Sequence, residues 1–185
     1  MADPVREFFR NNTRRSHAAT AKLLDVSPDW LHTWQRRYAA GKDGVAPALA
    51  RQRAKARKQG GYAKRIYDND VLAVFLIAYG LNDLAIETKS AIQAAMQIYS
   101  AIKREVIEPA CDGELRDDLM NTIALLAKQV GHKHRIHIVD RRNFLDAMQA
   151  LSGDHVIQIP CGIALIKLIE HAAASDASDS EAEAA

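Results

Sequence analysis

The sequence predicts a mainly α-helical fold with a small α/β piece toward the C-terminus. Three observations lead there. Apolar residues make up 48% of the 185 residues but aromatics only 6%, so the core is built from alanine and aliphatic side chains, which favours helix over strand. Apolar residues recur at helical spacing over most of the chain, with capping signals ahead of several runs. Only RIHIVD and HVIQIP, near the C-terminus, read as short strands.

Charge divides the chain. Residues 1–65 hold 15 Lys or Arg against 5 Asp or Glu, a balance of +10, and residues 66–185 hold 10 against 18, a balance of −8. A basic half joined to an acidic half points to a polyanion as partner of the first. No apolar run is long enough to span a bilayer, and MADPVREFFRNN has no apolar secretory core. Cys111 and Cys161 lie far apart and suggest no disulfide framework. A cytoplasmic protein with reduced thiols is the expectation.

In chain order, residues 1–15 form an arm or short helix carrying Arg6, Arg10, Arg14 and Arg15. Ser16 caps a helix over HAATAKLL, with Ala18, Ala19, Ala21 and Leu24 available to pack, and Asp25 breaks it. Ser27 and Pro28, a cap followed by a first-turn proline, start a second helix that runs to about Tyr38. Helix, short break and helix outline a helix-turn-helix. Leu31, Trp34 and Tyr38 share one apolar face; His32, Thr33, Arg36 and Arg37 lie off it, with Trp30 at its edge. One face docks on the first helix, and the other suits phosphates and base edges in a DNA major groove.

The glycine- and proline-broken stretch that follows carries Arg51, Arg53, Lys55, Arg57, Lys58, Lys64 and Arg65. It reads as a wing on the DNA backbone, adding affinity without sequence information, or as a disordered basic linker over 42–59. Residues 16–90 thus make up a winged helix-turn-helix unit. Asp68 and Asp70 open the helix VLAVFLIAY, which Gly80 ends, and a short helix starts near Asp83.

Residues 91–130 read as helical linker or dimerisation region. Ile92, Ala95, Tyr99, Ile102 and Val106 follow heptad spacing for about two repeats, a candidate dimer seam, with packing inside one chain the equal alternative. Pro109 ends that helix. Residues 113–130 predict another, with Leu115, Leu119, Ile123, Leu126 and Val130 inward. Residues 131–172 predict strand, helix, strand and helix, with strand direction open. The acidic, low-complexity tail 173–185 is expected to be disordered.

The N-terminal half resembles the MerR family of bacterial transcription regulators. ATAKLLDVSPDWLHTWQRRY is similar to the family's first helix, turn and recognition helix. GGYAKRIYDND, with Tyr62, Lys64 and Arg65, is similar to its wing strand leading into an acidic helix start, and VLAVFLIAYGLNDLAIETKSAI to the helices that complete the domain. The ordered set covers about residues 17–95. The chain departs from the family at Asp25, where glycine is usual and where aspartate tolerates the left-handed conformation. It has His32 where arginine is common, and a longer segment between Tyr38 and Gly60. Its second half does not resemble the family's effector domains. The resemblance implies a homodimer on double-stranded DNA with two-fold related half-sites. Ser27, Trp30, His32, Thr33, Arg36 and Arg37 would lie at the groove and the basic segment with Tyr62 on the backbone; the effector of the second half stays unspecified.

Other chemistry has less behind it. His132, His134 and His137, with Asp140, His155 and Cys161 downstream, are metal-ligand types without metal-site spacing, so no metal or other cofactor is assigned. Cys161 opens a predicted helix, a position that can lower a thiol pKa, although a lone buried cysteine is commoner. Asp140 reads as a helix cap. Adjacent Asp117 and Asp118 diverge on a helix and form no carboxylate pair. No phosphate loop, nucleotide fingerprint or nucleophile elbow is present, so no catalytic residue is assigned. The alternatives to a regulator are an architectural DNA-binding protein of excisionase, packaging or segregation type, and a protein-interaction adaptor.

Overall fold

The computed structural model describes residues 3–11, 13–34, 66–111, 113–128, 135–151 and 155–184. It is mainly α-helical with a small C-terminal sheet and helix region. Helix α1 (Pro4–Arg10) is capped by Asp3, whose carboxylate accepts the Val5 N–H. Two-residue strand β1 (Arg15–Ser16) leads into α2 (His17–Leu23), and α3 (Pro28–Trp34) follows. Strand β2 (Ile66–Tyr67) pairs antiparallel with β1. It feeds α4 (Asn69–Asp83), and α5 (Thr88–Ile102) continues into one π-helical turn, Lys103–Ile107.

The caps read from sequence hold the helix starts. Ser16 Oγ accepts the Ala19 N–H at 3.2 Å, and the Asp68 carboxylate accepts the Val71 N–H at 2.8 Å. Helix ends repeat a motif. Asp25 sits at φ 53°, with its N–H on the Lys22 carbonyl (3.2 Å) and the Val26 N–H on the Ala21 carbonyl (3.0 Å). Ala85 sits at φ 61°, with its N–H on Asn82 (3.0 Å) and the Ile86 N–H on Leu81 (3.2 Å). Both are left-handed Schellman ends that satisfy orphan carbonyls and turn the chain sharply. Strand, capped helix, left-handed turn and helix therefore occur twice, joined through the β1–β2 pair.

Beyond α5 the reading over 113–130 is corrected. Only α6 (Leu115–Met120) is helical; Thr122–Lys128 is strand β3. Leu115, Leu119, Ile123 and Leu126 fit a helical stripe, but ALLA is apolar on every side, and a run buried on both faces has no periodicity to separate strand from helix. Strand β4 (Arg135–Asp140) passes through a 3-10 turn to α7 (Phe144–Ala150), β5 (His155–Ile159) and α8 (Cys161–Ala184). The sheet order is β4-β3-β5, and both outer strands run antiparallel to β3. That settles the strand direction left open by the spacing: β4 and β5 run the same way and do not touch.

Of the two readings left open for the Ile92–Val106 seam, packing inside one chain is the one found, and the expected disorder of the tail is corrected. The candidate dimer seam is occupied within the chain, because α5 packs against α4 and Ile92, Ala95, Tyr99 and Ile102 are buried, with Val106 packed against the same cluster. Their apolar surface is removed from water without a partner copy. The tail read as disordered continues α8 to Ala184. Alanine and glutamate are strong helix formers, and α8 is already nucleated by a docked first half, so extension adds a bond per residue with no new nucleus.

One hydrophobic cluster runs from Val5 and Phe8 in α1 through Leu31, Leu72 and Ile98 to Leu165, Ile169 and Ala172 in α8, across the boundaries read from the sequence. Polar links tie the ends of the chain together. Arg6 donates to the carbonyls of Ala110 (2.5 Å) and Cys111 (2.8 Å). Arg15, only 6% exposed, donates to Asn69 and to Asp176 (2.6 Å). Asn69 returns its amide hydrogens to the carbonyls of Phe8 (2.6 Å) and Asn11 (2.8 Å). Two of the four arginines in the N-terminal arm are thus internal ties.

Candidate nucleic-acid interface

The outward surface of α3 is set from its inside. Ser27 Oγ accepts the Trp30 N–H at 3.0 Å, and the Leu31 N–H bonds the Ser27 carbonyl at 3.1 Å, so the helix starts on schedule at Pro28. Leu31 is fully buried. Sealing a leucine this way is worth about 2–3 kcal/mol and fixes the rotation of the helix. Trp30 meets Tyr79 of α4 edge-to-face, ring centroids 5.2 Å apart at 81°. Such a pair adds about 0.5–1.5 kcal/mol beyond area burial. Trp30 is therefore half-buried and packed rather than presented.

With Leu31 and Trp30 pointing in, Ser27, His32 and Thr33 are exposed. They are short polar groups in the first two turns, where a groove-reading helix makes its base-edge contacts. Arg36, Arg37, Arg51, Arg53, Lys55, Arg57, Lys58, Tyr62, Lys64 and Arg65 lie outside the described residues, as does the side chain of Trp34. The structure thus brings Ser27, His32 and Thr33 to one helix and assigns Trp30 to packing.

His17, which the motif reading passed over, positions this helix. Its Nε2 is 2.9 Å from the Pro28 carbonyl and its Nδ1 2.8 Å from the Tyr67 hydroxyl. A carbonyl only accepts, so Nε2 carries a hydrogen, and with that tautomer Nδ1 is left to accept from the phenol. The imidazole thus ties the start of α3 to β2. Its ring lies 6.4 Å from that of His32. Nothing in the local pattern marks His17, since its hydroxyl partner is 50 residues away.

The other candidate chemistry disperses. Cys161 is buried, and that burial pushes its thiol up to about 11. This is opposite in sign to a reactive helix-start thiolate. Asp140 caps the 3-10 turn by accepting the Arg142 N–H at 2.7 Å. The Arg142 guanidinium, with that N–H, holds its carboxyl down to about 2. His137 stands on β4 and His155 on β5, with β3 between them. Among the described residues no group of three or more His, Cys, Asp or Glu has a metal-holding arrangement. No described helix is long and apolar enough to cross a membrane.

No protein-family model matches the chain, and no curated protein matches it. The functional reading therefore rests on this chain's own residues. In the acidic half a cleft of about 390 Å³ between the π turn, α6 and β4 is lined by Glu105, Glu114, Asp118 and Asp140.

Proposed function

We propose that the protein is a sequence-specific DNA-binding transcription regulator of MerR-like type. In this reading α2 and α3 are the helix-turn-helix, α3 enters the major groove, and the basic segment before β2 is the wing. The observation that carries it is the two-sidedness of α3: Leu31 and Trp30 hold its inner side, and Ser27, His32 and Thr33 face water. The +10 balance of residues 1–65 supplies the phosphate attraction. His32, Thr33 and Arg36 contact base edges; Arg37, Lys58 and the other basic residues of the wing contact phosphates. The regulator acts as a homodimer on two-fold related half-sites.

The test is a selection of bound duplexes from random DNA with the full-length chain, followed by titration of the winner. Arg36→Ala is expected to lower affinity for the selected site by about 1–3 kcal/mol and to relax one base-pair position. Lys58→Ala weakens selected and random DNA alike and flattens the salt dependence. Equal losses on both DNAs for both variants, or no enrichment in the selection, sink the reading.

A further inference from the structure

We propose that β5 is a self-pairing edge, through which two copies of this chain join their sheets into one six-stranded antiparallel sheet. The three-stranded sheet has two edges, and they differ. On β4 the strand begins at Arg135 and ends at Asp140, and α5 packs beside it. Charged ends and a covering helix are the usual protections of an edge. β5 is flanked by Asp154 and Pro160, but among the described residues no helix packs extensively against it. Its sequence HVIQI has no Lys, Arg, Asp, Glu or Pro, and β3 is the one described element that it packs against extensively. Its outer row of backbone N–H and C=O groups is a template for another strand.

The sequence of β5 argues that the added strand is its own copy. Antiparallel self-pairing about a two-fold axis at Ile157 sets Val156 opposite Gln158 and His155 opposite Ile159. No like formal charges meet, and Ile157 faces its own copy, a β-branched pair on the two-fold axis. A basic or acidic strand would meet repulsion from its own copy; this one does not. Val156 and Gln158 lie on the sheet face carrying Ala127 and Leu125, their register partners on β3, and Gln158 is exposed. The pairing replaces the buried α5 seam as the dimer contact, and it holds whether or not the chain reads DNA.

The test is sedimentation equilibrium of the full chain without DNA, beside Gln158→Lys and Gln158→Glu. Gln158 of one copy lies diagonally across from Gln158 of the other, so either charge repels itself, and the two charges attract each other. The unsubstituted chain is expected to dimerise with concentration, each variant to dimerise at least tenfold more weakly, and an equimolar mixture of the two to recover the dimer. Recovery on mixing also shows that both variants are folded. A chain that stays monomeric at every concentration overturns the proposal and leaves the edge to a strand of another protein. A dimer indifferent to both substitutions, or a mixture as weak as its components, overturns it too. DNA titration of the same variants is read separately: a monomer that still binds the selected half-site keeps the regulator reading while the pairing fails.

Discussion

His17 joins partners that the sequence keeps apart, and its removal separates fold from function. His17→Ala loses both imidazole contacts, to Pro28 and Tyr67. Each net hydrogen bond is worth about 0.5–1.5 kcal/mol, so a melting experiment should show a loss of about 1–3 kcal/mol. On the regulator reading, affinity for the selected DNA falls further than stability explains, because the start of α3 is freed to shift. Equal DNA affinity for variant and parent counts against His17 as a positioning residue. The two thiols make a second prediction at this scale. Cys111 is exposed and Cys161 buried, with its thiol pushed up to about 11. Iodoacetamide at pH 8 should modify Cys111 alone in the native chain and both after denaturation, as read by mass spectrometry. A thiol whose folded pKa lies above its ordinary 9.0 contributes stability that is complete below pH 9 and lost as pH rises toward 11. Cys161→Ala should flatten the alkaline limb of the stability curve. Tyr99 acts in the same direction, its phenol raised by burial and by donation to Asp70 at 2.6 Å.

Ala85 sits at φ 61° without the local side-chain bonding that eases aspartate or asparagine into that region. Relief of about 1–2 kcal/mol of left-handed strain, less the added chain entropy of glycine, predicts that Ala85→Gly stabilises by about 0.5–1 kcal/mol. Gly162 is the reverse case. A Cβ there would stand 1.7 Å from the Leu119 carbonyl oxygen, where the start of α8 crosses the end of α6. Gly162→Ala forces backbone apart and should cost about 3 kcal/mol or more, measured by chemical denaturation. What was legible in the sequence were local devices. Ser16, Ser27 and Asp68 announced their helices, Asp25 its turn, and HVIQI and RIHIVD their strands, because each signal and its consequence lie within a few residues. Whatever depends on a distant partner was hidden. The run TIALLAK becomes a strand because β4 and β5 flank it, and the Ile92 seam is filled by α4 rather than by a second copy. At the candidate interface the outward set of α3 could be read from periodicity, whereas the packing of Trp30 on Tyr79 could not.

Across the whole molecule, α8 makes the N-terminal unit dependent on the last element of the chain. Its buried residues Leu165, Ile166, Leu168, Ile169 and Ala172 belong to the cluster that holds Val5, Phe8 and Leu72, and α8 packs on α1, α2 and α4. Asp176 completes the buried Arg15–Asn69 group, and Arg116 of α6 pairs with Glu170 on its flank. Deleting residues 161–185 strips these contacts. The four buried leucine and isoleucine side chains alone are worth about 1.5–3 kcal/mol each, a sum comparable with the 5–15 kcal/mol by which domains are stable. Arg15 loses both its carboxylate partner and the cover that α8 gives it, so its link to Asn69 is opened to water. The truncated chain is therefore expected to lose cooperative melting and to bind DNA without sequence preference, through charge alone. Asp176→Asn keeps the helix and removes the charge that pairs with Arg15; with Asp176 half exposed, its cost should be a fraction of the truncation's. A truncated chain that melts cooperatively at the parent temperature would show that the N-terminal unit stands alone, and that α8 is an attachment rather than part of its core.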